Sequence, residues 1–81
     1  MRIEVRLLAS LRAAAGRDVV TLDLPPGATL GAAVDGLLAE LPALREHTPM
    51  WHLAVNGAHA EAEAVLQPGD RISIFPYIAG G

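Results

Sequence analysis

The sequence predicts an α+β fold, with one sheet of about four to five strands covered on one face by a single main helix. Three observations carry that prediction. Residues 2–8, 18–24 and 71–75 alternate apolar and polar side chains with the period of a half-buried strand. Helical spacing of apolar residues is confined to one stretch, 29–41. The resulting order of strand, strand, helix, strand, strand fits a two-layer arrangement burying a single sheet face. At 81 residues there is room for one hydrophobic core and only modest clefts.

In the first strand Ile3, Val5 and Leu7 share one face, and Arg2, Glu4 and Arg6 the other. Ser10 to Ala15 is rich in Ala, Leu and Arg and stops at Gly16, which suits one helical turn before the chain reverses. Val20, Leu22 and Leu24 then point inward until Pro25-Pro26-Gly27 ends the ladder. The short connection pairs these two strands antiparallel. Thr29 is the expected N-cap of a helix whose stripe is Leu30, Val34, Leu37, Leu38 and Leu41, stopped by Pro42. Gly31 and Gly36 each cost that helix about 1 kcal/mol relative to alanine, so it depends on docking to the sheet.

Residues 42–50 read as loop, with Leu44 able to tuck onto the core. His52 to Val55 reads as a short strand, and Asn56-Gly57 as a type I′ turn, because both residues tolerate positive φ. Residues 58–67 read as an irregular connection closed by the turn Pro68-Gly69-Asp70. In the last strand Ile72 and Ile74 face inward and Arg71, Ser73 and Phe75 outward. The expected core is Ile3, Val5, Leu7, Val20, Leu22, Leu24, Leu30, Val34, Leu37, Leu38, Leu41, Leu53, Val55, Ile72 and Ile74, with every other strand position facing out. The expected organisation is a domain over 1–76 and a flexible tail over 77–81, because Pro76 removes a donor and the residues after it have neither cap nor period.

Composition narrows the function. The net charge is −3 and the six basic residues are scattered, which argues against binding a nucleic-acid backbone. The absence of cysteine excludes disulfides, thiolate metal sites and cysteine nucleophiles in this sequence. No apolar run is long enough to span a bilayer and none follows Met1, so the sequence reads as soluble and cytoplasmic, with no membrane partner. All six cations are arginine, which leaves no lysine amine for conjugation of the protein to itself.

Ordinary catalytic constellations are missing. His47, His52 and His59 lack metal-ligand spacing, so no metal site is expected. Ser10 and Ser73 lack the strained setting that activates a serine nucleophile. Glu61 and Glu63 have no pocket to part their pKa values. Gly27 and Gly31 flank the helix start without the Gly-Lys-Ser/Thr sequence of a phosphate loop.

The end of the sequence is different. Gly80-Gly81 maximises backbone freedom where no turn or cap requires it. Either it merely frays, or the lack of Cβ atoms lets the last residues thread a narrow channel and leaves the Gly81 carbonyl open to attack. The six residues after Phe75 extend roughly 20 Å, enough to reach deep into another protein. Phe75 shares its outward face with Arg71 and Ser73. If the first and last strands lie side by side in parallel, Leu8 emerges beside it and forms an apolar patch at the root of the tail, of the kind that marks partner surfaces. The alternative is a Phe75 folded over the sheet edge.

Several segments together carry a family resemblance. They are Leu7-Leu8-Ala9-Ser10-Leu11-Arg12 with Gly16, Leu24-Pro25-Pro26-Gly27-Ala28-Thr29-Leu30, Val55-Asn56-Gly57, and Leu66-Gln67-Pro68-Gly69-Asp70 before a last strand that ends in Gly-Gly. In this order and spacing the whole chain resembles the ubiquitin-like β-grasp sulfur carriers of the MoaD/ThiS family. The Leu-Ala-Ser-Leu-Arg segment is more similar to the small subunit of molybdopterin synthase than to the shorter thiamine-pathway carriers. Pro76-Tyr77 stands where molybdopterin carriers often have Pro-Pro.

The resemblance implies a mixed sheet and a non-catalytic carrier. It implies that an E1-like adenylating enzyme uses ATP to activate the carboxylate of Gly81, and that sulfur then replaces AMP to leave a thiocarboxylate. Ile78, Ala79 and Gly80 would thread the partner's channel, and Leu8, Phe75, Pro76 and Tyr77 would meet its surface. No cofactor is expected on this chain. The acceptor would be the large subunit of molybdopterin synthase, in molybdenum cofactor biosynthesis. Alternatives are a carrier for cysteine, thiamine, tRNA thiolation or a natural product, and a ubiquitin-like modifier that joins target lysines.

Overall fold

In the computed structural model, which describes residues 1–76, eight elements follow one another. They are β1 (Arg2–Leu7), α1 (Ser10–Ala15), β2 (Val19–Asp23), α2 (Leu30–Glu40), a 3₁₀ helix (Pro42–Met50), β3 (Trp51–Val55), β4 (Ala58–His59) and β5 (Arg71–Pro76). The strands form one mixed sheet in the order β2-β1-β5-β3-β4. Strands β1 and β2 pair antiparallel with Ile3 opposite Leu22 and Val5 opposite Val20. At the centre β1 and β5 run parallel, with Val5 beside Ile72 and Leu7 beside Ile74. Strand β3 lies antiparallel on the far side of β5, Leu53 opposite Ile74 and Val55 opposite Ile72.

One face of this sheet is the core. Ile3, Val5, Leu7, Val20, Leu22, Ile72 and Ile74 are buried against Leu30, Ala33, Leu37 and Leu38 of α2. Each such side chain taken from water contributes about 1.5–3 kcal/mol, which is what holds a glycine-containing helix in place. Thr29 caps α2 as expected, its Oγ1 accepting the Ala32 N–H at 3.2 Å. The next free donors are answered by a segment read as irregular. The Leu30 N–H donates to the Ala64 carbonyl at 2.8 Å and the Gly31 N–H to that of Ala62 at 2.9 Å. Gly31 eases this approach, since a Cβ there would lie 3.3 Å from the Ala62 oxygen, a tight contact that the neighbouring backbone would have to yield to.

Several expectations are corrected. Residues 42–50 are a 3₁₀ helix, not a loop, and Leu44 on it is fully buried. Residues 58–59 form β4, and Val65 makes an isolated bridge to Thr29, so the stretch 58–67 is less irregular than the winding connection expected of it. Leu11, Ala33, Leu44 and Leu66 belong to the core, whereas Leu24, Val34, Leu41, Leu53 and Val55 are half-buried at its margin. Ala54 occupies an outward position opposite Ser73 and His59 yet is buried, because a methyl group lies below the longer side chains around it.

The start of β5 is pinned by a polar clamp. Asn56 and Gly57 both take positive φ, as a type I′ turn requires. The Asn56 side chain then donates to Asp70 Oδ1 at 2.9 Å and accepts the Arg71 N–H at 2.9 Å, while Asp70 Oδ2 accepts the Gln67 N–H at 2.8 Å. These bonds, the Gln67 N–H foremost and the Asn56 amide second, hold the Asp70 carboxyl below its ordinary value. A depressed carboxylate pKa stabilises the fold fully above the ordinary value, and that stabilisation is lost as pH falls through the depressed one. Wild type is therefore expected to melt higher than Asp70→Asn at neutral pH, with the gap closing below about pH 4. Thermal melts across that range check it; a gap unchanged at low pH refutes the clamp.

Candidate functional site at the root of the tail

Parallel pairing of β1 with β5 decides what emerges where the tail begins. The Leu8 N–H donates to the Ile74 carbonyl at 3.1 Å, so the step beyond the Leu7–Ile74 pair sets Leu8 beside Phe75. Both lie on the face away from α2, 41% and 37% exposed, far more than the core leucines allow. Phe75 does not fold over the sheet edge. It stacks on His52 of β3, its opposite residue in the ladder, with ring centroids 5.5 Å apart and planes 26° from parallel. Pro76 pairs with Trp51, which packs against the core margin on the opposite face. The expected patch residues Leu8 and Phe75 thus share one surface; Pro76, in phase with Ile74, falls on the other face of β5 because successive strand residues alternate, and Tyr77, Ile78, Ala79, Gly80 and Gly81 lie outside the described residues.

Leu8 reaches this position through a strained turn. Ala9 sits at φ 52° and ψ −126°, a conformation that favours glycine, and the Leu11 N–H closes the turn onto the Leu8 carbonyl at 3.1 Å. The turn sends Leu8 outward and Leu11, fully buried, inward. Relief of strain there outweighs the added freedom of the unfolded chain, so Ala9→Gly is expected to stabilise by about 1 kcal/mol in denaturant titration. Destabilisation by that substitution contradicts the turn geometry.

Charges continue the same face toward the other end of the strands. Glu4 Oε2 lies 3.5 Å from Arg6 Nε and 3.7 Å from Arg71 Nε, bridging two neighbouring strands. The other residues weighed for chemistry are dispersed. His47 is on the 3₁₀ helix, His59 on β4 faces Glu61 at 3.0 Å, Ser10 opens α1 and Ser73 lies mid-strand. Among the described residues no three His, Cys, Asp or Glu converge as metal ligands, and no helix is long and apolar enough to cross a membrane. The His52 stack and the Arg6–Glu4–Arg71 bridge were not expected from the sequence. Both follow from outward phase once the neighbouring strand is known, and only the ladder supplies that.

Comparison with known proteins agrees with this geometry. The ThiS family model matches residues 5–81. The molybdopterin synthase sulfur carrier subunit of Arabidopsis thaliana is 33% identical over all of this chain and 84% of that protein. The small archaeal modifier protein 1 of Haloferax volcanii is 32% identical over 98% of this chain and 100% of that one. Its crystal structure superposes with a TM-score of 0.92, covering 100% of both chains. The fold also matches a chain of the complex of subunits 1 and 2 of molybdopterin-converting factor from Helicobacter pylori at TM-score 0.73, with 23% identity and 100% coverage of both chains. The chain belongs to the ThiS family and is a β-grasp sulfur carrier, a member of a non-catalytic family.

Proposed function

We propose that this carrier is the small subunit of molybdopterin synthase, delivering sulfur as a thiocarboxylate on Gly81. The observation that carries the reading is the full-length match to the plant sulfur carrier subunit, whose alignment takes in every residue of this chain. The exposed Leu8–Phe75 strip supports it as a docking surface where the tail leaves the sheet.

The chemistry sets what the partners supply. A carboxylate is a poor electrophile, because its charge repels nucleophiles and oxide leaves badly. An adenylating enzyme joins the Gly81 carboxylate to the AMP part of ATP and releases pyrophosphate. The terminal sulfur of a persulfide then attacks the acyl carbon, AMP leaves, and a thiol takes the donor sulfur as a disulfide, freeing the thiocarboxylate. This chain contributes reach and an unhindered carbonyl, and the acceptor supplies the pocket, in keeping with a cytoplasmic assembly. ATP belongs to the activating enzyme and no cofactor to this chain.

Intact mass after incubation with the cognate adenylating enzyme, ATP and a persulfide donor tests the carrier chemistry. A gain of about 16 Da, oxygen replaced by sulfur, is expected. No gain with an enzyme active on another carrier refutes it. Transfer of that sulfur to the large synthase subunit separates the molybdopterin pathway from other acceptors.

A second reading, a protein modifier, is favoured by the likeness to the small archaeal modifier protein 1. It requires an amine acceptor and predicts higher-mass conjugates in cells in place of sulfur transfer.

The patch can be tested apart from the tail. Phe75→Ala is expected to weaken binding to the acceptor about 30-fold, or about 2 kcal/mol on the scale of aromatic interface anchors. The fold should survive with a loss of about 1 kcal/mol, the worth of the His52 stack that the substitution removes. Undiminished affinity by calorimetry excludes the patch as the docking surface.

A further inference from the structure

Beyond the apolar strip, the outer sheet face carries a polar groove of roughly 620 Å³ lined by Arg6, Asn56, Gly57, Gly69, Arg71 and Ser73. The ladder puts Arg6 beside Ser73 and Arg71 beside Glu4, so both arginines enter the groove from the two central strands. We propose that this groove receives an acidic segment of the adenylating enzyme that takes the tail, with that enzyme's carboxylates reading the two guanidinium groups. The partner rests on the carrier reading above; the binding chemistry of the groove does not.

Glu4 lies between the two arginines without using them up. Its single oxygen meets both through their Nε atoms. The forked outer edge of each guanidinium, two N–H groups in one plane, therefore remains for a second carboxylate. One glutamate between two arginines relieves their mutual repulsion, and the Asp70 carboxylate at the groove's rim is already engaged by the Gln67 N–H and the Asn56 amide. The wider charge pattern points the same way. Residues 1–17 with Arg71 hold five arginines against one glutamate, whereas residues 18–70 hold eight acids against Arg45. A chain that is acidic as a whole thus gathers its positive charge on β1, α1 and β5. An extended polyanion such as a nucleic acid would meet the acidic remainder; a short acidic segment need not.

Exposure decides between a free anion and a protein. The Arg6 and Arg71 side chains are 54% and 67% exposed, and ion pairs in such water-rich settings contribute little. A small anion would stay hydrated there. A protein surface already anchored on Leu8 and Phe75, two residues beyond Arg6 and four beyond Arg71 on the same two strands, would cover the groove and exclude that water. The charges then act in a lower dielectric and steer the encounter.

Amide NMR titration of the labelled protein with a hexaglutamate peptide tests the groove directly, with inorganic phosphate as the comparison. Peptide-induced shifts are expected at residues 4–6, 56–57 and 71–73, weakened several-fold by 0.3 M salt and by the double variant Arg6→Gln/Arg71→Gln. These variants keep exposed polar side chains, and an unchanged Tm confirms their fold. Equal binding of phosphate, shifts centred on Arg12 and Arg17, or wild-type affinity in the double variant each overturns the proposal. In adenylation assays with the cognate activating enzyme, the same variant is expected to raise KM for the carrier about 10-fold at low salt with kcat unchanged. An unchanged KM overturns the partner assignment. Absence of adenylation in wild type would instead indict the carrier reading and leave the peptide titration to judge the groove.

Discussion

Deleting Gly81 is expected to lower the rate of sulfur acquisition at least 100-fold while leaving the Tm unchanged. The shortened chain still ends in a glycine carboxylate, so the expected loss is one of reach. Removing one extended residue withdraws the reacting carbon by about 3.5 Å. Misplacement by even about 1 Å in a reacting pair can cost 100-fold. The sheet cannot compensate, because β5 is held between β1 and β3 along its length and cannot slide outward without turning Ile72 and Ile74 from the core. Gly81→Ala keeps the reach and adds only a Cβ, so it is expected to lose less than the deletion. Time courses of the mass gain on the three proteins check this. A deletion that acquires sulfur at the wild-type rate on Gly80 would show that the partner does not measure tail length, and the threaded-channel picture would fail.

How much of this was legible in the sequence depended on how local each signal is. Strands β1, β2 and β5 and helix α2 declared themselves through period and cap, because Ile3-Val5-Leu7 and Thr29 with Leu30, Leu37 and Leu38 each answer to one neighbouring surface. The candidate patch was legible for a similar reason: outward phase of Phe75 and parallel pairing of the first and last strands sufficed to bring Leu8 beside it. Other features that require two distant segments were not legible. Ala62 and Ala64 cap α2 through backbone carbonyls, which leave no trace in side-chain identity. The strand β4 is two residues long, too short for any period. Strain at Ala9 is equally silent, since alanine gives no warning of a positive φ. His52 and Arg71 each acquire a role only when the ladder assigns His52 to Phe75 and Arg71 to Glu4.

The 3₁₀ helix is the clearest case of a segment whose composition understates its importance, and Leu44→Ala is expected to destabilise the protein by about 3 kcal/mol. Pro42 and Pro49 and the polar residues between them suggest a surface connection, and most of the segment is exposed. The turn closed by the Leu44 N–H on the Leu41 carbonyl at 3.0 Å nevertheless drives Leu44 inward to full burial. There it joins Leu11 of α1 in the same core cluster, at the end where the two helical segments pack together. Truncation leaves a cavity between the 3₁₀ helix and α1, and α1 is held by its own contacts with β1 and β5, so collapse around it is limited. A domain of this size has about 4–12 kcal/mol of total stability, so the loss is a large fraction of it. The expected fall in Tm is about 12–20 °C. Arg45→Ala, one residue along and exposed, is expected to change stability by no more than about 0.5 kcal/mol. Paired denaturant titrations distinguish the two. If Leu44→Ala proves as mild as its neighbour, the segment is a surface loop after all, and the core beside α1 does not depend on it.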